Sequence, residues 1–291
     1  MNDQSGREAR KRCGVCEEGA LDHVFSKDGC DILRCNKCGV GSTIVQDFDP
    51  ASYYTKDYFE GGHRDGYAEY GRSEEILRQD FARLVSVLRS VAPQGGALLE
   101  VGCAYGFFLH SAQDHWHIHG LEISEDAVQR CHADGLSNVR QGMADQAALA
   151  TLPPLQAIVM LDVIEHLPDP VAVLQACYEK LVPGGVLMLT TGDFGSPVAR
   201  LFGSRWRLMT PPQHLWFFTA KGFRALAKRQ GWNLLRLTHP GKRVPLSLIV
   251  YQLLRMIGFR AGRVIGSSRV GVPVNLGDAM LLLLQRPEHV R

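Results

Sequence analysis

From residue 97 to residue 284, short apolar runs alternate with helical segments, and this alternation constrains the fold more than any other feature of the chain. Strand candidates are 97–101, 117–123, 157–161, 186–191, 233–238 and 279–284, with helix candidates near 107–113, 124–133, 170–181 and 220–230. A helix between successive strands makes each connection a crossover, and crossovers give parallel strands. The expected fold class is therefore α/β, a doubly wound sheet with helices on both faces. Ahead of it, Ser73 is placed to cap a helix whose Ile76, Leu77, Phe81, Leu84, Val87 and Leu88 follow the 3.6-residue period, ending before Pro93. The 291 residues are 45% hydrophobic and 8% aromatic, ordinary globular values that exclude a fibrous or disordered chain.

Residues 1–12 read as a solvated polar tail without the apolar run of a signal peptide, and the apolar stretch 246–259 is interrupted by Gln252 and Arg255. A cytoplasmic location is expected, where thiols stay reduced and cysteine pairs serve metals rather than disulfides. Cys13-x-x-Cys16 and Cys35-x-x-Cys38 are two knuckles separated by 18 residues, the spacing of a tetrahedral structural Zn²⁺ site. A module over 13–48 has too little core to fold alone, so metal binding would contribute much of its stability. Cys30 and His23 lack knuckle partners and are read as non-ligands.

The segment 97–106, Ala-Leu-Leu-Glu-Val-Gly-Cys-Ala-Tyr-Gly, is a strand entering a glycine turn and then a helix. Glycines let the backbone turn sharply while a ligand approaches the helix start. The pattern Glu100-x-Gly102-x-x-x-Gly106 is not the Gly-x-Gly-x-x-Gly of a dinucleotide-binding dehydrogenase. It resembles motif I of class I S-adenosylmethionine (SAM) dependent methyltransferases. Asp162-Val-Ile-Glu165-His166-x-x-Asp169-Pro170 and Leu181-Val-Pro-Gly-Gly185 are similar to later motifs of that superfamily, in the same order.

The resemblance covers residues 95–291 and implies a Rossmann-like methyltransferase sheet binding SAM, with a small zinc ribbon in front of it. It implies cofactor contacts from Glu100, Gly102, Cys103 and Gly106 at the turn, from Glu122 and Ile123 after the next strand, from Ala144 and Asp145 near the adenine, and from Leu161 and Asp162 after the fourth strand. Glu122 matches the residue that accepts bonds from both ribose hydroxyls, a charge-assisted arrangement. Where related chains carry an acidic residue after the glycine of strand three, Met143 and Ala144 follow Gly142 here. Asp162, Glu165 and His166 could orient the SAM loop, bind a divalent metal, or cap the next helix.

The segment 205–219 resembles the Glu-His-x-x-x-Phe-[Ser/Thr] stretch of zinc-ribbon sugar C-methyltransferases and their smaller relatives, with Gln213 standing where those have Glu. His214 matches their candidate base, and His166 is the second catalytic candidate; a neutral imidazole near pH 7 can accept an acceptor's proton. Two readings of the connector over 49–94, with Tyr53, Tyr54, Tyr58, Phe59, Tyr67 and Tyr70, stay open: closure over SAM, or glue between ribbon and catalytic domain. An insertion at 240–277 carries Lys242, Arg243, Arg255, Arg260, Arg263 and Arg269 with no acidic residue before Asp278. It is read as a lid, or as a surface for anionic lipid or a diphosphate, the latter placing the protein at the inner face of a membrane.

The leading functional expectation is methyl transfer from SAM to a small-molecule or glycan-type acceptor such as a sugar, glycolipid or secondary metabolite. The alternatives are an RNA or protein methyltransferase gripping its substrate with the ribbon, and a SAM-binding scaffold without catalysis. Against nucleic acid stand 32 basic and 30 acidic residues, a net charge of only +2, and the absence of an Asn/Asp-Pro-Pro-Tyr pocket. The acceptor atom and the oligomeric state are not written in these motifs.

Overall fold

The computed structural model of the chain describes residues 12–45, 49–60, 71, 74–92, 95–245 and 271–288. The N-terminal tail, Tyr67, Tyr70, Ser73 and the apolar run 246–259, with Arg255, Arg260, Arg263 and Arg269, lie outside the described residues. The cysteine-rich module contributes β1 (Leu21–Lys27), β2 (Cys30–Cys35) and β3 (Gly41–Ile44). Two short helices, α1 (Pro50–Tyr53) and α2 (Lys56–Glu60), and the long α3 (Glu74–Arg89) lead into the main sheet.

That sheet is built from β4 (Ala97–Val101), β5 (His117–Glu122), β6 (Val139–Gln141), β7 (Leu155–Leu161) and β8 (Leu181–Gly192). Between them run α4 (Phe107–Ala112), α5 (Glu125–Ala133), α6 (Gln146–Ala150) and α7 (Pro170–Lys180). After β8 come α8 (Pro197–Phe202), β9 (Trp216–Phe217), α9 (Ala220–Arg229), β10 (Asn233–Thr238), the pair β11 (Lys242–Pro245) and β12 (Gly271–Val274), and β13 (Ala279–Gln285).

The order across the sheet is β10-β13-β8-β7-β4-β5-β6. The five strands from β8 to β6 are parallel, and β13 inserts antiparallel between β8 and β10. The chain starts at β4, works outward through β5 and β6, then crosses back to β7, so a switch point opens beside the glycine turn that follows β4.

Adjacent residues of one strand bury opposite faces. Leu99, Ile158, Leu187 and Leu282 belong to one core cluster, and Leu98, Val159, Met188 and Leu283 to the other. All eight are fully buried, each contributing about 1.5–3 kcal/mol of hydrophobic transfer before entropy is charged against it. The first cluster also takes in Cys13, Val15, Cys35, Cys38 and Val40, so the cysteine module shares a core with the sheet. The tyrosine connector packs instead on the catalytic domain: Tyr58 and Phe59 bury against Phe107 and Ala127.

At the foot of the insertion, β11 and β12 pair antiparallel from Lys242↔Val274 to Pro245↔Gly271. The expectation of unopposed positive charge needs correction here. Lys242 is ion-paired with Asp162, which folding brings from a position 80 residues away.

Candidate active site

The glycine turn owes its shape to contacts a side chain would destroy. Gly102 (φ +69°) and Gly106 (φ +72°) adopt left-handed backbone, and a Cβ on them would fall 2.5 Å from Val163 Cγ2 and 2.2 Å from Leu136 Cδ1. Ala104 between them is also left-handed (φ 48°), held by its N–H donating to Glu122 Oε2 at 2.8 Å. The other Glu122 oxygen accepts from Ser124 N at 2.9 Å. Burial pushes the Glu122 carboxyl up while the N–H groups of Ser124 and Ala104 pull it down. A carboxylate offers about four lone-pair directions, so each oxygen keeps room for one hydroxyl of a diol.

Two further polar atoms in this region, Glu100 Oε2 and Ser124 Oγ, are buried without a partner, and burial holds the Glu100 carboxyl well above the usual range. Orphaned polar atoms beside a glycine cradle fit a polar cofactor such as SAM. Ser124 carries no signal in the sequence beyond opening the helix candidate 124–133, and its side chain makes no capping bond.

Other predicted residues are placed differently from one another. The Cys103 thiol is buried toward Gly120 and Cys131, which leaves only its backbone for a ligand. Ile123 is half-buried, and its carbonyl accepts from Gln141 Nε2. Ala144 is buried, whereas Met143 is 41% exposed. Asp145 Oδ1 caps α6 by accepting from Ala148 N at 2.7 Å, so one oxygen of that exposed carboxylate is already committed.

Leu161 ends β7, and Asp162 follows it with left-handed backbone (φ 55°). Asp162 N donates to Thr190 O at 3.1 Å, and its Oδ1 accepts from Thr190 Oγ1 at 2.8 Å. Burial would raise the Asp162 carboxyl, but Lys242 and Thr190 outweigh it and hold it below the usual range.

A short 3₁₀ turn, Ile164–His166, then brings Glu165 and His166 beside His214. The His166 and His214 rings meet edge to face with centroids 4.7 Å apart, and ligand atoms of Glu165, His166 and His214 all lie within 4.8 Å of one another. His166 Nδ1 is 2.8 Å from Gln213 O and 2.8 Å from Tyr54 Oη. A carbonyl can only accept, so the Gln213 bond assigns the ring proton to Nδ1 and leaves Nε2 as the basic nitrogen. Glu165 Oε2, Thr210 Oγ1 and Gln213 Oε1 are buried without partners, and Glu165 lines a cavity of about 10 Å³ with Thr191 and His214. That is room for about one water.

Burial, reinforced by the charge of Asp162, pushes Glu165 up to about 8. Burial, reinforced by His166, holds His214 well below the usual imidazole range, and burial lowers His166 as well. Both imidazoles are therefore neutral at pH 7 and Glu165 is largely protonated. Three donors this close suit either proton transfer or a divalent metal, but the set differs from the expected Asp162, Glu165 and His166. Lys242 engages Asp162, and His214 takes the third place.

The cysteine quartet is compact: Cys13 Sγ to Cys38 Sγ and Cys16 Sγ to Cys35 Sγ are each 3.6 Å, and all four sulfurs lie within 4.8 Å of one another. A tetrahedron with Zn–S bonds near 2.3 Å has S···S edges of about 3.8 Å, so the quartet fits zinc. Cys30 stands apart, its thiol directed to Asp28 O, and His23 faces Asp31.

The cysteine module also reaches the loop that carries His214. β9 adds to its sheet through Gly41↔Phe217 and Ser42↔Trp216. Thr43 N donates to Leu215 O (2.8 Å), and Thr43 Oγ1 donates to His214 O (2.6 Å). From the other side, Leu215 N donates to Glu165 O, and Trp216 Nε1 to Leu167 O.

A Rossmann-like sheet with an antiparallel strand next to its edge, a glycine turn and an acidic second strand end together define a class I SAM-dependent methyltransferase. The chain belongs to the methyltransferase-domain family, whose profile matches residues 73–237, more than half of its length. It is 31% identical over 128 residues to a ubiquinone biosynthesis O-methyltransferase of Xylella fastidiosa strain 9a5c, covering 42% of this chain and 52% of that protein. It is 33% identical over 114 residues to the enzyme of the same name from Pseudomonas paraeruginosa, covering 37% and 49%. The chain thus spans about half the length of the curated relatives it matches.

Among solved structures, magnesium protoporphyrin IX methyltransferase from Synechocystis PCC 6803, which holds S-adenosylhomocysteine, shares the fold with a TM-score of 0.51 at 14% identity, covering 81% of this chain and 97% of that one. A SAM-dependent methyltransferase from Archaeoglobus fulgidus does so with 0.50 at 16% identity, covering 73% and 97%. No helix among the described residues is long and apolar enough to cross a membrane.

Proposed function

We propose that this enzyme methylates an oxygen of a small-molecule acceptor and that His214 receives the proton. The observation that carries the reading is the convergence of His214, Glu165 and His166, whose ligand atoms lie within 4.8 Å of one another at the carboxyl edge of the sheet; the burial that keeps His214 unprotonated also weakens it as a base, so the hydroxyl it serves must be an acidic one. SAM supplies an already activated methyl group, so the protein's part is to align the acceptor and take its proton. Glu122 holds the ribose, and the backbone from Gly102 to Gly106 faces the cofactor. Tyr54 and Gln213 orient the His166 ring, and the aromatic wall of Trp216, Phe217 and Phe218 leaves room beside the base for no more than about one water. Zinc on Cys13, Cys16, Cys35 and Cys38 holds the ribbon, and the ribbon holds the His214 loop. On this reading the functional units are the ribbon over 13–48, the connector and helix over 49–94, and the methyltransferase domain over 95–291.

A glycan-type acceptor linked to phosphate is favoured by a cavity of about 600 Å³ between ribbon and sheet edge, lined by Arg34, Lys37, Arg200, Lys221 and Arg224 with only Asp22 and Asp193 against them. The lipid-facing reading of the insertion rests on residues 246–270, outside the described residues. Assays with tritiated SAM against catechols, hydroxyquinones and nucleotide-linked sugars test the proposal. Methyl transfer that His214→Ala leaves at the wild-type rate on every acceptor accepted would refute His214 as the base.

A further inference from the structure

We propose that Lys242, delivered by the foot of the insertion, binds the carboxylate of the methionine end of SAM, with Asp162 facing its ammonium. The inference rests on the cofactor reading above and adds a residue that none of the sequence motifs contains.

Lys242 is held firmly in place. Arg83 Nη2 donates to Gly241 O at 2.6 Å, Arg243 N donates to Asp80 Oδ2 at 2.7 Å, and the β11–β12 ladder fixes the strand from its other side. Helix α3 and β12 thus aim one cation at the end of β7. There its Nζ donates to Asp162 Oδ2, while Thr190 Oγ1 donates to the other Asp162 oxygen.

The pair borders the cradle. Val163, the next residue, is the side chain that a Cβ on Gly102 would strike, so Asp162 and Gly102 lie on adjoining turns. The two side chains are 40% and 37% exposed, which places the ion pair at a mouth and not in the core. An ion pair that open to water leaves both groups within reach of a ligand.

An amino-acid end presents an anion and a cation on one carbon. A lysine and an aspartate side by side present the complementary two charges. Lys242 spends one of its three N–H donors on Asp162, and Asp162 Oδ2 keeps a free lone pair, so both can take a ligand without breaking their own bond. Arg207, the other cation influencing Asp162, is already committed to Asp278 through bonds of 2.9 Å from Nε and from Nη2.

The test compares S-adenosylhomocysteine with 5′-methylthioadenosine, which shares the adenosine and thioether but lacks the amino-acid end. Calorimetric titration of the full, zinc-loaded chain should show wild type preferring S-adenosylhomocysteine by well over tenfold. Lys242→Gln should weaken S-adenosylhomocysteine at least tenfold and leave 5′-methylthioadenosine within a factor of about two, with Lys242→Arg recovering most of the loss. Equal weakening of both ligands would make Lys242 a structural residue and overturn the proposal. So would an unchanged S-adenosylhomocysteine affinity, or a wild type that prefers it by less than tenfold. Failure of the His214 reading leaves these affinities untouched, so the two proposals fail separately.

Discussion

The glycine turn draws its backbone N–H bonds from one continuous stretch, residues 97–124, in which strand, turn and Glu122 lock one another through Ala104 N and Ser124 N, with the side chains of Leu136 and Val163 closing on its glycines from elsewhere. The loop carrying His214 is instead held by three pieces: Thr43 of the ribbon, the 3₁₀ turn and its exit through Glu165 O and Leu167 O, and the loop's own helical-type bond from His214 N to Thr210 O. A locally closed site survives damage elsewhere in the chain. One assembled from distant pieces inherits the stability of each of them, so cofactor binding and methyl transfer should separate under mutation.

The largest separation is expected on removing the metal. Cys35→Ser, or stripping zinc with a chelator, should release β3 from β9 and with it the His214 loop. Methyl transfer should fall by at least about 10⁴, the upper end of what loss of a general base costs. S-adenosylhomocysteine affinity should move by no more than about threefold. Zinc analysis, activity and calorimetry on one preparation check this, and parallel loss of both functions would erase the contrast between the two regions. Cys30→Ser should keep both zinc and activity.

Next in size, His214→Ala should lower kcat by roughly 10² to 10⁴ with cofactor affinity intact. A variant that loses S-adenosylhomocysteine binding as well would show that the His214 loop supports the cofactor edge. Glu122→Ala should do the converse, weakening SAM by about 1.5–3 kcal/mol, the value of hydrogen bonds to a charged group. Because Glu122 also ties down Ala104 and Ser124, Glu122→Gln separates lost ribose contact from a loosened turn. Quench-flow with saturating SAM should show chemistry little altered in Glu122→Gln.

The smallest effect is a slope. Folded Glu165 keeps its proton up to about pH 8, whereas its usual value is 4.5. Protonation therefore favours the fold, fully so below pH 4.5, and the contribution is lost progressively as pH rises from there to 8. Glu165→Gln, which cannot ionise, should flatten the fall in Tm across that window relative to wild type. Parallel Tm curves would place the Glu165 carboxyl in ordinary solvent contact.

Alternation of apolar runs and helices sufficed for the sheet and its two buried faces, because a period of two in strands and 3.6 in helices is a local property. The glycine turn and the two cysteine knuckles were legible because residue type and short spacing carry them: left-handed backbone at Gly102 and Gly106 favours glycine, and each Cys-x-x-Cys pair sets two thiols side by side. Asp145 was ambiguous in the sequence because an acidic residue before a short helix serves as a cap and as a ligand with the same signal, and one of its oxygens caps α6.

What only the tertiary structure decided is which distant residues meet. Nothing in the spacing of Glu165, His166 and His214 states that they converge, nor that Lys242 answers Asp162, nor that Trp216–Phe217 completes the ribbon's sheet. Those meetings follow from the register of β8 beside β7, of β3 beside β9 and, for Lys242, of β11 beside β12 against α3, and register is fixed by packing across the whole core rather than by any short run of residues.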